Sequence, residues 1–283
     1  MDVEDWYQTS DFNFDLKSWD NFEDRVEYST ETILDLLADH NIRATFFVLG
    51  CVAAKHPGLV HKIVQAGHEL ASHGSWHRMV TQQTREEFRA DVRAAKLMLE
   101  DTSGREVNLF RAPSWSISAD TLWALEVLEE EGYIGDSSVQ PFATPLSGIK
   151  GAPVVPYHPV IGGRQLRLVE FPPTVLELGR LRVPFSGGFY FRAMPSFLFN
   201  LAMRRVNQNQ EGMVYIHPWE LDIKQPRNRV SPLIWLSHYL NIARTKGKIE
   251  KLFNRFDFVT LGDLIKDGEY PALPVIKRCV EKK

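Results

Sequence analysis

The chain has 283 residues, 44% of them apolar and 24% charged, with a formal net charge of −3. That length and balance fit one barrel-sized globular domain or two small ones, and the bulk charge gives no reason to expect a nucleic acid or an anionic membrane as partner. No run approaches the roughly 18 apolar residues of a membrane span, and acidic residues open the chain where a secretory leader would be positive, so a cytoplasmic location is expected.

In chain order, Ile33, Leu34, Leu36 and Leu37 recur at helical spacing and predict a helix through residues 31–37. Residues 44–49 form a short aromatic and β-branched run that reads as a buried strand. Pro57 starts a helix that Gly67 stops, and a turn and short strand then lead through Glu69 to Ser72. Thr84, with Glu87 three residues on, opens a long helix through Val92, Ala95, Met98 and Leu99 to about Glu100, with Gly104 ending the connection. Strand 108–112, helix 118–131, strand 133–136 and strand 167–171 continue the alternation, followed by strands at 213–216 and 258–261.

Alternating strands and helices imply a parallel sheet with helical crossovers, and in barrels of that kind chemistry collects at the carboxyl ends of the strands. About seven strands are predicted. No repeat or Gly/Ser linker divides the chain, so one domain over 1–283 is expected, with the chemical motifs in 2–220 and an extension over about 221–283. Cys51 and Cys279 lie far apart in apolar contexts and are expected to be reduced and buried.

Six clusters carry chemistry. Asp2-Val3-Glu4-Asp5 supplies carboxylates, with Asp2 and Glu4 on one side if the strand stays extended. His73-Gly74-Ser75-Trp76-His77 places two imidazoles four residues apart, and two imidazoles with a carboxylate suit a divalent metal that keeps a position open for water. Phe110-Arg111-Ala112-Pro113-Ser114-Trp115 ends a strand with an arginine whose guanidinium can hold a carboxylate ionised. Gly135-Asp136-Ser137-Ser138 is a polar turn after another strand. Val214-Tyr215-Ile216-His217-Pro218-Trp219-Glu220 ends an apolar run in a histidine, a residue able to act as acid near neutral pH. Ser186-Gly187-Gly188-Phe189-Tyr190-Phe191-Arg192 is rich in glycine and aromatics, and no Gly-Lys-Ser/Thr follows, which excludes a phosphate-binding P-loop.

Taken together these segments resemble the polysaccharide deacetylase family, the NodB-like carbohydrate esterases. The Asp-Val-Glu-Asp-Trp-Tyr, glycine-aromatic and His-Pro-Trp-Glu segments look like the subgroup associated with bacterial exopolysaccharide and exosortase systems. The resemblance implies an α/β fold, a distorted (β/α) barrel with seven strands. It implies Asp2 as general base, His217 as general acid, Arg111 as the residue orienting Asp2, and the Trp115 amide as oxyanion donor. His73 and His77 would ligate the metal with Glu4, the favoured carboxylate, or Asp5. Pro113, Asp136, Ser137, Phe189, Tyr190 and Trp219 would border the substrate. In the family several strand residues precede the first aspartate, whereas here only Met1 does, so either the sequence starts late or the first strand is very short. The implied cofactor is zinc, with cobalt, nickel or manganese able to use the same donors, and the implied substrate is an N-acetylated glycan. Two rival readings remain: hydrolysis of another carbon–nitrogen bond such as a cyclic amide or ureide, and a non-catalytic glycan-binding barrel.

Overall fold

Short parallel strands bring the predicted clusters to one side of a sheet. They are β1 (Asp2–Val3), β2 (Thr45–Val48), β3 (Glu69–Ser72), β4 (Leu109–Phe110) and β5 (Gly135–Asp136). Helices α1 (Val26–Asp39), α2 (Gly50–Lys55), α3 (Pro57–Gln65), α4 (Arg85–Ser103) and α5 (Trp123–Glu130) connect them. A small antiparallel pair, β6 (His158–Ile161) and β7 (Arg164–Gln165), precedes β8 (Val169–Glu170), which completes the sheet in the order β1-β2-β3-β4-β5-β8. The computed structural model describes residues 1–12, 14–144, 147–179 and 181–276; Cys279 lies outside them.

The local reasons follow the residue types. β2 is aromatic and β-branched and buried along its whole length, as a central strand covered on both faces must be. α4 begins with a reciprocal cap in which the Glu87 amide donates to Thr84 Oγ1 and the Thr84 amide to Glu87 Oε2. It ends at Gly104, whose φ of +64° closes the helix. Val3, Ile33, Leu37, Phe46, Leu59 and Ile63 pack between the sheet and α1–α3. A second core of Phe88, Val92, Phe110, Leu125, Leu128 and Tyr133 joins the sheet to α4 and α5.

The second half is less regular. Hairpin β9 (Val175–Leu178) and β10 (Leu181–Pro184) leads to α6 (Gly188–Ala193), α7 (Ser196–Val206), α8 (Pro232–Tyr239), α9 (Ile242–Phe253) and α10 (Leu261–Asp267). A last strand, β11 (Ala272–Pro274), pairs with β6. Ile249, Leu252 and Phe253 of α9 enter the same core as Val3 and Phe46, so this segment packs into the body that carries β1.

Three expectations are corrected. The seven-stranded barrel does not close: among the described residues no ladder joins β8 back to β1, and the sheet is open. Residues 213–216, expected as a strand, make one bridge, Tyr215 to Gly187, and accept the Asp2 amide at the Ile216 carbonyl, 3.1 Å away. The ladder cannot lengthen there because the Gly212 and Met213 amides donate to the side chains of Asn207 and Thr174. Gly187 lets the two segments meet, since a Cβ would lie 2.3 Å from the Tyr215 carbonyl oxygen. Residues 258–261 are not a strand either: Thr260 accepts the Asp263 amide and starts α10, while the Leu261 amide donates to Thr45 Oγ1.

Candidate active site

Asp2 and Glu4 leave β1 on one side, as the two-residue period requires, and both are buried. His73 follows β3 directly, and Gly74 with φ of +77° turns the chain so that His77 comes back beside it. The turn is tied down from α4, where Asp91 accepts the Ser75 amide at 3.1 Å. The ligand atoms of Glu4, His73 and His77 consequently lie within 4.8 Å of one another. Glu4 Oε2 is 2.6 Å from His77 Nε2 and 4.0 Å from His73 Nε2. Asp5, the alternative ligand, points elsewhere: its carboxylate accepts the Trp6, Arg25 and Val26 amides and fastens the start of α1.

The three donors fit a divalent cation. Glu4 Oε2 is buried and lies 2.6 Å from His77 Nε2 without a well-aligned hydrogen bond, an arrangement that suits two donors turned toward one cation. His73 hydrogen-bonds through Nδ1 to the Arg111 carbonyl at 2.8 Å, which directs Nε2 at the cluster. Burial pushes His73 down to about 4, against the pull of Asp2, so the ring is neutral and has a lone pair to give at neutral pH. Burial raises Glu4, but His77, His217 and His73 outweigh it and bring the carboxyl down to about 2.

Two further groups face the cluster. Asp2 is held by Arg111 Nη1 at 2.6 Å; burial would push its carboxyl up, but Arg111, His73 and His217 hold it well below the usual range. Arg111 is fixed by Ser137 Oγ, at 3.0 Å from Nη2, and lies over the Phe47 ring at 4.1 Å. His217 Nε2 stands 3.8 Å from Asp2 and 3.9 Å from Glu4. Its Nδ1–H donates to Glu220 Oε1 at 2.8 Å, and Arg192 Nε donates to Glu220 Oε2 at 2.6 Å. Burial lowers the imidazole, but Glu220, Glu4 and Asp2 together raise it to about 9, so His217 is protonated at neutral pH. Arg192 is itself anchored by the Ser237, His238 and Leu240 carbonyls.

The remaining expected residues take several places. Trp219 is buried, stacked between His217 and His238, and its indole N–H donates to Glu4 Oε1 at 3.2 Å; it steadies the cluster instead of lining open space. Ser137 and Pro113 are buried, and Asp136 pairs with Glu170 across β5 and β8. Phe189 and Tyr190 are half-buried, with Phe142 6.3 Å from Tyr190. The Trp115 amide donates to the Ala112 carbonyl at 3.0 Å, closing a turn in which Ser114 and Trp115 both have positive φ. An oxyanion role for that amide requires this strained turn to open. Arg192 was not singled out from the sequence. Cys51 is a free, half-buried thiol that burial pushes up to about 12.

Residues 18–133 match a family model described as polysaccharide deacetylase, and residues 137–266 match one described as a domain of unknown function (DUF3473). The chain is 34% identical over 98 residues to a peptidoglycan-N-acetylglucosamine deacetylase of Bacillus cereus, covering 34% of this chain and 36% of that protein. It is 35% identical over 97 residues to a chitooligosaccharide deacetylase of Sinorhizobium fredii, covering 33% and 44%. A peptidoglycan-N-acetylglucosamine deacetylase of Listeria monocytogenes is 33% identical over 89 residues, covering 31% of this chain and 19% of its own length. The matched stretch is thus less than half of each of these relatives. Among solved structures, PuuE allantoinase aligns with a TM-score of 0.57 at 17% identity over 85% of this chain and 73% of its own, a likeness of fold. Over residues 18–133, then, the chain is similar to polysaccharide deacetylases.

Proposed function

We propose that the chain is a metal-dependent hydrolase that removes N-acetyl groups from amino sugars of a bacterial poly- or oligosaccharide. One arrangement carries the reading: a carboxylate held ionised and an imidazole held protonated face the same carboxylate–histidine–histidine cluster. Glu4, His73 and His77 would hold the cation, with zinc the first choice for these donors and cobalt, nickel or manganese the alternatives. Such an ion supplies Lewis acidity toward water and an amide carbonyl. Asp2 accepts the proton that the attacking water loses, and Arg111 keeps Asp2 anionic beforehand. His217 Nε2 gives its proton to the sugar nitrogen as the carbon–nitrogen bond breaks, so acetate and a free amine leave. Glu220 fixes the imidazole so that Nε2, not Nδ1, faces the cleft.

Relatives named for peptidoglycan N-acetylglucosamine and for chitooligosaccharide support an N-acetylated hexosamine as substrate. An exopolysaccharide as the polymer is supported by the sequence character of residues 2–7 and 217–220. The test is acetate release from N-acetylglucosamine oligomers by metal-stripped and zinc-reloaded protein. Zinc-restored release that is absent from Asp2→Asn and His217→Ala is expected. Turnover of a cyclic ureide, with no acetate from any oligomer, would assign the cleft to the other carbon–nitrogen class.

A further inference from the structure

The segment after the His217 motif has a charge pattern unlike that of the whole chain. From Ile223 to Ile249 there are six lysines and arginines and no aspartate or glutamate, in a chain of net charge −3. Lys224, Arg227, Arg229, Arg244 and Lys246 are exposed, and none of them enters an ion pair among the described residues. The exposed face of α4 is different, because Arg85, Arg89 and Arg93 are each matched by glutamates of the next connection. Two acids touch the cationic stretch: Asp11 at Ser237, and Asp222, whose Oδ1 accepts the Lys224 amide at 2.9 Å.

Within this stretch α8 turns apolar side chains to water: Leu233 is 77% exposed, Trp235 46% and Leu236 42%, with Ile223 nearby in sequence at 58%. The other side of the helix is firmly seated. His238 stacks on Trp219 with ring centroids 4.1 Å apart, and its Nε2 hydrogen-bonds with Gln225 Oε1 at 2.8 Å. Trp219 in turn stacks on His217. The exposed face is therefore a fixed knob, two ring layers from the cleft.

Arg227 lies over the Tyr239 ring at 4.3 Å, and Tyr239 packs on Trp235 at 5.7 Å, so at least this cation stands beside the apolar face. Leucines and a tryptophan facing water in a segment rich in cations without ion-pair partners have the chemistry of an interfacial membrane element. The apolar side chains enter the acyl boundary, the indole sits at headgroup depth, and the cations meet lipid phosphates. A second copy docking through the same face would bring like charges together. We infer that α8 and its flanking cations form a docking surface for an anionic lipid bilayer, which brings the cleft to the membrane surface. No helix of the described residues is long and apolar enough to cross a membrane, so attachment by this face is peripheral. The inference rests on side chains outside the cleft and stands apart from the reaction proposed above.

Co-sedimentation of the full chain with vesicles tests it. Binding is expected to vesicles containing about one-third phosphatidylglycerol and not to pure phosphatidylcholine, and it should weaken as salt rises. Leu233→Ser/Trp235→Ser and Lys224→Glu/Arg229→Glu should each weaken binding at least about tenfold while melting temperature and circular dichroism stay unchanged. Failure of the wild-type chain to bind the anionic vesicles would overturn the inference, as would equal binding by both folded variants. Self-association abolished by Leu233→Ser/Trp235→Ser, without vesicle binding, would assign the face to a second copy instead.

Discussion

Asp2 and His217 face each other across the cleft at 3.8 Å, and each is governed by a buried arginine, but at different removes. Arg111 meets Asp2 directly, and the anion stays an anion. Arg192 would expel a proton from His217 if it touched the ring; Glu220 stands between them and accepts from both. One guanidinium thus supports an ionised base, and another, acting through a carboxylate, supports a protonated acid. The intervening residue decides the protonation state, more than the arginine does.

The comparison can be broken at several points. Asp2→Asn keeps the side-chain shape but cannot take a proton, so kcat should fall by about 10²–10⁴-fold with little change in melting temperature. Near-normal acetate release from that variant would remove Asp2 from the base role. Arg192→Ala leaves Glu220 buried with half its partners gone and should cost about 3–5 kcal/mol of stability, read from urea unfolding. A loss below about 1 kcal/mol would mean that the ion pair is not structural.

Glu220→Gln sharpens the same contrast. His217 sits at about 9 and is useful only while protonated, so activity should fall as pH rises through that value. Removing the Glu220 charge lowers the imidazole, and the alkaline limb of the kcat profile should move to lower pH, with a loss of about tenfold at neutral pH. An unmoved limb would show that another group sets it.

The pair behind the cleft predicts a pH effect of opposite use. Burial and the Asp136 charge push Glu170 well above its ordinary 4.5, so the folded chain keeps a proton that the unfolded chain releases. The resulting stability is complete below the unfolded value and is lost as pH rises through the folded one. Glu170→Gln imitates the protonated form and can still accept the Ser138 and Val139 amides. Its melting temperature should therefore fall less than that of the wild type as pH rises above the ordinary carboxylate range. The smallest expected effect is Thr84→Ala, which removes half of the α4 capping box and should cost about 1 kcal/mol in urea unfolding.

Much of the first half was legible because its signals are local. Thr84 and Glu87 announce α4, Gly67 and Gly104 end helices, and the run at 44–49 is buried as β2. The cluster could be read as separate motifs because its signals are short and local: Asp2, Glu4, His73 and Arg111 stand at or just past strand ends, His77 follows His73 by four residues, and His217 ends an apolar run. What escaped depends on distance in sequence. Arg192 gains its role only by meeting Glu220, 28 residues away, and nothing in its own aromatic surroundings marks it. Trp219 is expected to border the substrate, yet it is buried in a stack between His217 and His238. Residues 258–261 have strand-like composition, but Thr260 caps a helix. Barrel closure was misjudged because competing side-chain acceptors at Thr174 and Asn207 take the amides that a seventh strand would use.

The central claim is that Glu4, His73 and His77 hold one divalent cation between an acid and a base that do not bind it. The most direct measurement is zinc stoichiometry by elemental analysis of wild type, Glu4→Gln, His73→Ala, His77→Ala, Asp2→Asn and His217→Ala after reloading and dialysis. The account predicts about one equivalent in wild type, retained in Asp2→Asn and His217→Ala and lost from the other three folded variants. Full zinc retention in His73→Ala and His77→Ala would contradict it.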